Sequence, residues 1–164
     1  MLPIVDKVLT EAQGRYLTKE EEDTILDQLK ELPERLRIAR AVSKIENEAA
    51  EQAMERMYSE FPEVMRAHKL SREKTHRDYI LTIRSCVHAM ILGSTDHLDS
   101  KLLYWFRTIL ASFEYAPDYI RSTFSVLEEC VLDRLGSKGA TAMKPYLARC
   151  TQVLSDFPAA AAVA

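Results

Sequence analysis

Glycine interrupts this chain at only four places, Gly14, Gly93, Gly136 and Gly139, in 164 residues. Between them run long segments whose apolar residues recur every three or four positions. That is the period of a helix face, not the alternation of a strand. A chain patterned in this way folds as packed helices. With 47% hydrophobic and 29% charged residues it has the composition of an ordinary globular protein. Its length suits one domain spanning 1–164, large enough to bury a full core without staples.

The spacing predicts a short amphipathic helix over residues 2–12, with Leu2, Val5 and Leu9 on one side and Gly14 as its stop. Thr18-Lys19-Glu20-Glu21 has the form of a capping box and opens a second helix. Ile25, Leu29, Leu32 and Leu36 continue it, and Pro33 predicts a kink or a restart. The pattern resumes through Ile38, Val42, Ile45, Ala49 and Met57 and stops at Phe61-Pro62. A short polar link then leads to Ser71, which suits an N-cap.

Beyond Ser71, Ile80, Ile83, Val87, Met90 and Ile91 share a face that ends at Gly93, and residues 94–97 read as a turn. Leu102, Phe106, Ile109, Leu110 and Phe113 form the next face. Pro117 suits the first turn of a helix bearing Ile120, Phe124, Leu127 and Val131, closed by Gly136. The last helix presents Met143, Leu147, Cys150, Leu154 and Phe157. Six or seven helices with short links fit globin-like or bundle packing, and periodicity leaves that choice open.

Several function classes are excluded by the same reading. A formal net charge of -3 with no basic stripe argues against nucleic acid or an acidic membrane surface as partner. No apolar run approaches the ~20 residues of a membrane span. Residues 1–10 lack the basic-then-apolar order of a secretory signal, so the expected location is the cytoplasm. There is no Gly-rich phosphate loop, no Gly-x-Ser-x-Gly and no His-Glu-x-x-His, so the chain is not expected to be an enzyme. The acidic run from Glu20 to Asp23 sits at a helix start, where the helix dipole favours it. Cys86, Cys130 and Cys150 are too far apart for a zinc knuckle and read as buried, reduced thiols. A haem needs an axial ligand, and residues 101–113, where a globin would carry a histidine, have none.

The most polar stretch on a helix with a strong apolar face is Lys74-Thr75-His76-Arg77-Asp78-Tyr79. Thr75, Asp78, Tyr79 and Thr82 fall along one side at i, i+3, i+4 and i+7. One reading is a solvated first turn with surface ion pairs. The other is the polar wall of a ligand site, in which Arg77 forks onto a carboxylate and Asp78 accepts from pyrrole N–H groups.

The motif Lys74-Thr75-His76-Arg77-Asp78 resembles the Lys-Cys-x-Arg-Asp of phycobiliprotein subunits, the light-harvesting proteins of the cyanobacterial phycobilisome. Ala12-Gln13-Gly14-Arg15-Tyr16-Leu17-Thr18 is similar to that family's turn between its first helices. Tyr58-Ser59-Glu60-Phe61-Pro62 resembles the end of its B helix, and the tail 159–164 the end of phycocyanin β chains. The order of these matches covers nearly the whole chain. The resemblance implies an all-α, globin-like phycobiliprotein fold with an N-terminal helical extension. Residues 1–33 would be dimerisation helices and 34–158 the globin core. Leu2, Val5 and Leu9 would then meet a partner, either a second copy or a phycobiliprotein-like chain. In the family the motif's cysteine holds an open-chain tetrapyrrole by a thioether, its arginine contacts a propionate and its aspartate holds the pyrrole N–H groups.

Here the departures set the expected function. Thr75 stands where the attachment cysteine would be, and a hydroxyl is a far poorer nucleophile than a thiol. The link over 62–74 is shorter than in typical phycocyanin α chains, where it helps cover the chromophore. Cys150 does not match the second attachment site of phycocyanin β chains, and Cys86, two helical turns or more beyond Thr75, is not a simple substitute for the cysteine there. The chain therefore resembles the bilin biosynthesis-associated globins: non-catalytic accessory proteins of phycobilisome biogenesis and maintenance, with no covalent bilin. Their expected partners are phycobilisome or bilin-pathway proteins. The alternative is a carrier holding a bilin such as phycocyanobilin non-covalently through Arg77, Asp78 and Lys74. An antenna subunit coloured through another cysteine is a third reading.

Overall fold

The computed structural model describes residues 2–66, 71–113 and 117–156. All regular structure among the described residues is helical. Helix α1 (Pro3–Glu11) has proline in its first turn, where the missing N–H costs nothing. It lies on the second helix and buries Val8 and Ala12. Gly14, at φ +87°, then turns the chain through the left-handed region that glycine tolerates best.

Helix α2 (Lys19–Glu60) opens on the expected capping box. The Thr18 hydroxyl accepts from the Glu21 N–H at 3.3 Å, and the Glu21 carboxylate accepts from the Thr18 N–H at 2.8 Å. Arg15 also forks onto Glu21 at 2.8 and 2.7 Å. That guanidinium, together with the Thr18 N–H, holds the Glu21 carboxyl down at about 2.

The restart expected at Pro33 does not occur, and α2 passes through it as one helix of 42 residues. Proline in a helix interior removes a hydrogen bond and crowds the preceding turn. Arg35 offsets this by tying together the turns on either side. Its guanidinium donates back to Gln28 and Glu31, and across to the Ile91 carbonyl at 3.2 Å.

Phe61 ends α2, and the expected polar link begins instead as a short helix, α3 (Pro62–Arg66). Ser71 is the first residue of α4 (Ser71–Leu92) and not its cap; the cap position lies outside the described residues. Gly93 closes α4 at φ +69°, as expected. A Cβ there would come within 2.6 Å of Arg35 Nη1, so glycine is also what lets the arginine approach.

The expected turn at 94–97 is shorter than that. Helix α5 (Asp96–Leu98) already begins at Asp96 and runs through a π-helical turn, Asp99–Leu103, into α6 (Tyr104–Ala111). The π turn carries Asp99 inward, where it is buried and bonded to Arg149. Helix α7 (Pro117–Leu132) starts at its proline. Gly136 does not close it; with φ -61° and ψ 163° it is the N-cap of α8 (Ser137–Leu154). Phe157 and the tail 159–164 lie outside the described residues.

Helix α7 packs on α2 and α8, α2 on α4, and α4 on α8. Met57, Ile83, Leu102, Ile120, Leu127 and Leu147 are fully buried between them. The architecture is all-α and globin-like, with α1 and the start of α2 leading into the core. No described helix is long and apolar enough to cross a membrane.

Candidate functional site

A cavity of about 190 Å³ opens between α4, α6 and α7. Helix periodicity accounts for its polar side. Thr75, Asp78 and Tyr79 lie at i, i+3 and i+4 on α4 and all face it, with Lys74 at the rim. The opposite walls are apolar: Phe106, Ile109 and Leu110 from α6, and Ile120 and Phe124 from α7. Two aromatic contacts fix these walls. Phe106 meets Phe124 edge-on at 6.1 Å, and Phe61 meets Tyr119 edge-on at 5.3 Å. Such pairs prefer edge-to-face geometry because of the ring quadrupole.

The residues singled out in the sequence separate here. Lys74, Thr75 and Asp78 line the cavity, whereas Arg77 does not. Its side chain is 72% exposed and turns back on its neighbour, with Nε at 3.0 Å and Nη2 at 2.9 Å from Asp78 Oδ1. Thr82, the fourth residue of the polar face, is buried and donates to the Asp78 carbonyl at 2.8 Å.

Tyr79 is the group whose weight the sequence does not reveal. It is 2% exposed, and its hydroxyl has no hydrogen-bond partner among the described residues. Burial pushes its ionisation far above the normal phenol range, so it remains a donor. Phe106, Tyr119, Thr123 and Phe124 also belong to the site. Phe106 and Phe124 signal in the sequence only as members of apolar faces, and Tyr119 and Thr123 carry no signal there.

All three cysteines lie away from this cavity, buried as expected. Cys86 and Cys150 face each other in the core with their sulfurs 3.4 Å apart. Burial raises the Cys86 thiol well above its usual range. Cys130 sits against Arg56, Nη1 to Sγ 3.7 Å. No described group of histidine, cysteine, aspartate and glutamate side chains is arranged to hold a metal ion.

The family described as phycobilisome protein matches residues 8–154. The chain belongs to the phycobilisome protein family. No curated protein matches it. As a family, phycobilisome proteins build light-harvesting assemblies, and phycobiliproteins bind bilins. The cavity of this phycobilisome protein is lined by Lys74, Thr75 and Asp78 from the stretch Lys74-Thr75-His76-Arg77-Asp78. An engineered apolar cavity of about 150 Å³ holds one benzene. The 190 Å³ here is of the same order, in a cavity that opens to solvent. Thr75 presents a hydroxyl on the wall, and none of the three cysteines lines it.

Proposed function

We propose that this phycobilisome protein is a non-catalytic accessory factor of phycobilisome biogenesis or maintenance, working in the cytoplasm and carrying no covalent bilin. The observation that carries this reading is Thr75 on the cavity wall, with every cysteine of the chain elsewhere. Arg77 supports it, its guanidinium being engaged with Asp78. The protein acts by binding other proteins: a second copy or a phycobiliprotein-like chain through Leu2, Val5 and Leu9, and phycobilisome or bilin-pathway components. Residues 1–33 serve as the association arm and 34–158 as the globin core.

Co-expression with phycocyanobilin synthesis tests this. A colourless wild type is expected, with covalent colour acquired only in Thr75→Cys. Colour that survives acid urea and stays with the wild-type polypeptide overturns it.

Asp78 supports a second reading, since its carboxylate faces the cavity and can accept from pyrrole N–H groups. A bilin would then be held without a bond. A coloured wild type that loses its colour in denaturant, and also with Arg77→Ala or Asp78→Ala, favours this carrier.

A further inference from the structure

We propose that Cys86 on α4 and Cys150 on α8 form a redox modification site, a thiol pair that a hydroperoxide converts into a disulfide between the two helices. The inference goes beyond the accessory role and does not depend on it.

Three observations carry it. The first is distance. The two sulfurs stand 3.4 Å apart, although 64 positions separate them along the chain. A disulfide bond is about 2.05 Å long, so closure brings the sulfurs together by about 1.4 Å.

The second is placement. Cys86 shares the buried face of α4 with Ile83 and Met90, and Cys150 shares that of α8 with Leu147 and Leu154. The two helices pack directly on each other. A bond here joins atoms that the fold already holds in contact. The third is the position of the remaining cysteine. Cys130 sits instead against Arg56, with Nη1 3.7 Å from its sulfur.

The reaction balances with one hydroperoxide. One thiol, as its thiolate, attacks the terminal oxygen. The O–O bond breaks, the alcohol leaves with the proton that the thiol gave up, and a sulfenic acid remains. The second thiol attacks the sulfenic sulfur. The S–O bond breaks, and its hydroxyl leaves as water with the second proton. Two thiols lose two electrons and the hydroperoxide gains them. Both sulfurs are closed off by the core, and burial keeps the Cys86 thiol protonated. Oxidation therefore proceeds through local opening between α4 and α8, and a small oxidant such as hydrogen peroxide is favoured over a bulky disulfide. Once made, the bond restricts the unfolded chain over residues 86–150 and raises stability.

The test incubates the whole protein with hydrogen peroxide under native conditions, then blocks free thiols in acidic denaturant and maps the peptides. The intact mass is expected to fall by about 2 Da, two hydrogens. One linked peptide pair should contain Cys86 and Cys150, with Cys130 recovered as a blocked thiol. The unfolding equilibrium constant of the oxidised protein should drop roughly 30- to 1,000-fold and return on reduction. Cys86→Ala and Cys150→Ala should each lose the link and the gain in stability. The wild-type peptide map decides the matter even where a variant does not fold. Thiols that stay reduced overturn the proposal. So do sulfinic acids in place of the link, a link through Cys130, or an oxidised protein no more stable than the reduced one.

Discussion

Arg149 on α8 clasps Asp99 in the π-helical turn through two parallel hydrogen bonds, Nε to Oδ1 at 3.0 Å and Nη2 to Oδ2 at 2.8 Å. Asp99 is buried, whereas a third of the arginine side chain stays in contact with solvent. The two partners are therefore unequal. Removing the arginine strands a buried carboxylate; removing the carboxylate leaves a cation that can turn to water. Arg149→Ala should destabilise the fold by about 2–4 kcal/mol and Asp99→Asn by about half that. The double variant should be less destabilised than the sum of the two. Chemical denaturation of all three variants measures this, and equal single-variant losses would refute the asymmetry.

Gly93 and Arg35 are coupled by space. Gly93→Ala places a non-glycine residue at φ +69°, costing about 1–2 kcal/mol. It also displaces the guanidinium that reaches the Ile91 carbonyl. In an Arg35→Ala background only the backbone part remains, so the cost of Gly93→Ala should fall there. A thermodynamic double-mutant cycle reads the difference, and strict additivity would count against the contact.

The junction between α1 and α2 should depend on acid. The Glu21 carboxyl lies at about 2 in the folded protein, against 4.5 for a free side chain, because Arg15 and the Thr18 N–H favour its charge. A depressed folded value contributes stability that is complete above pH 4.5. That contribution is lost as pH falls toward 2. Glu21→Gln should therefore lower the denaturation midpoint at pH 7 and differ progressively less from wild type as pH drops from 5 to 3. A gap that stays constant over that range would assign the loss to the neutral cap alone.

Association through the arm predicts a separation of folding from assembly. Leu9 is 44% exposed, and Leu26 and Leu29 on α2 are exposed to a similar degree. A stable dimer interface buries about 1,600 Å², and apolar side chains in that number on one arm can form its centre. Val5→Asp with Leu9→Asp should leave the helical circular dichroism intact and shift sedimentation to a monomer. Unchanged sedimentation would remove the arm from the interface.

Local chemistry made part of this legible from sequence. The Thr18–Glu21 box, the left-handed Gly93 and the one-sided run of Thr75, Asp78 and Tyr79 all depend on residues within one or two helical turns. What escaped depended on distance. Pro33 lies inside one continuous helix, and Arg35 beside it bonds to Ile91, far along the chain. The far wall of the cavity comes from α6 and α7, where Phe106 and Phe124 look like any other core aromatics. Arg77 and Asp78 read as a pair aimed at one ligand, yet successive helix residues diverge by about 100°. Only Asp78 faces the cavity, and Arg77 bends back to it from outside.

The unbroken course of α2 has a mechanical consequence. Its 42 residues make a strut about 63 Å long at ~1.5 Å rise per residue. One end bears the capping box and the apolar arm; farther along, Ala49, Ala50, Ala53 and Met57 are set into the core. The helix runs between the two without a break. A partner clamped to the arm is thereby held at a bearing dictated by the core, and changing that bearing means bending a hydrogen-bonded rod or levering its buried end against α4 and α7.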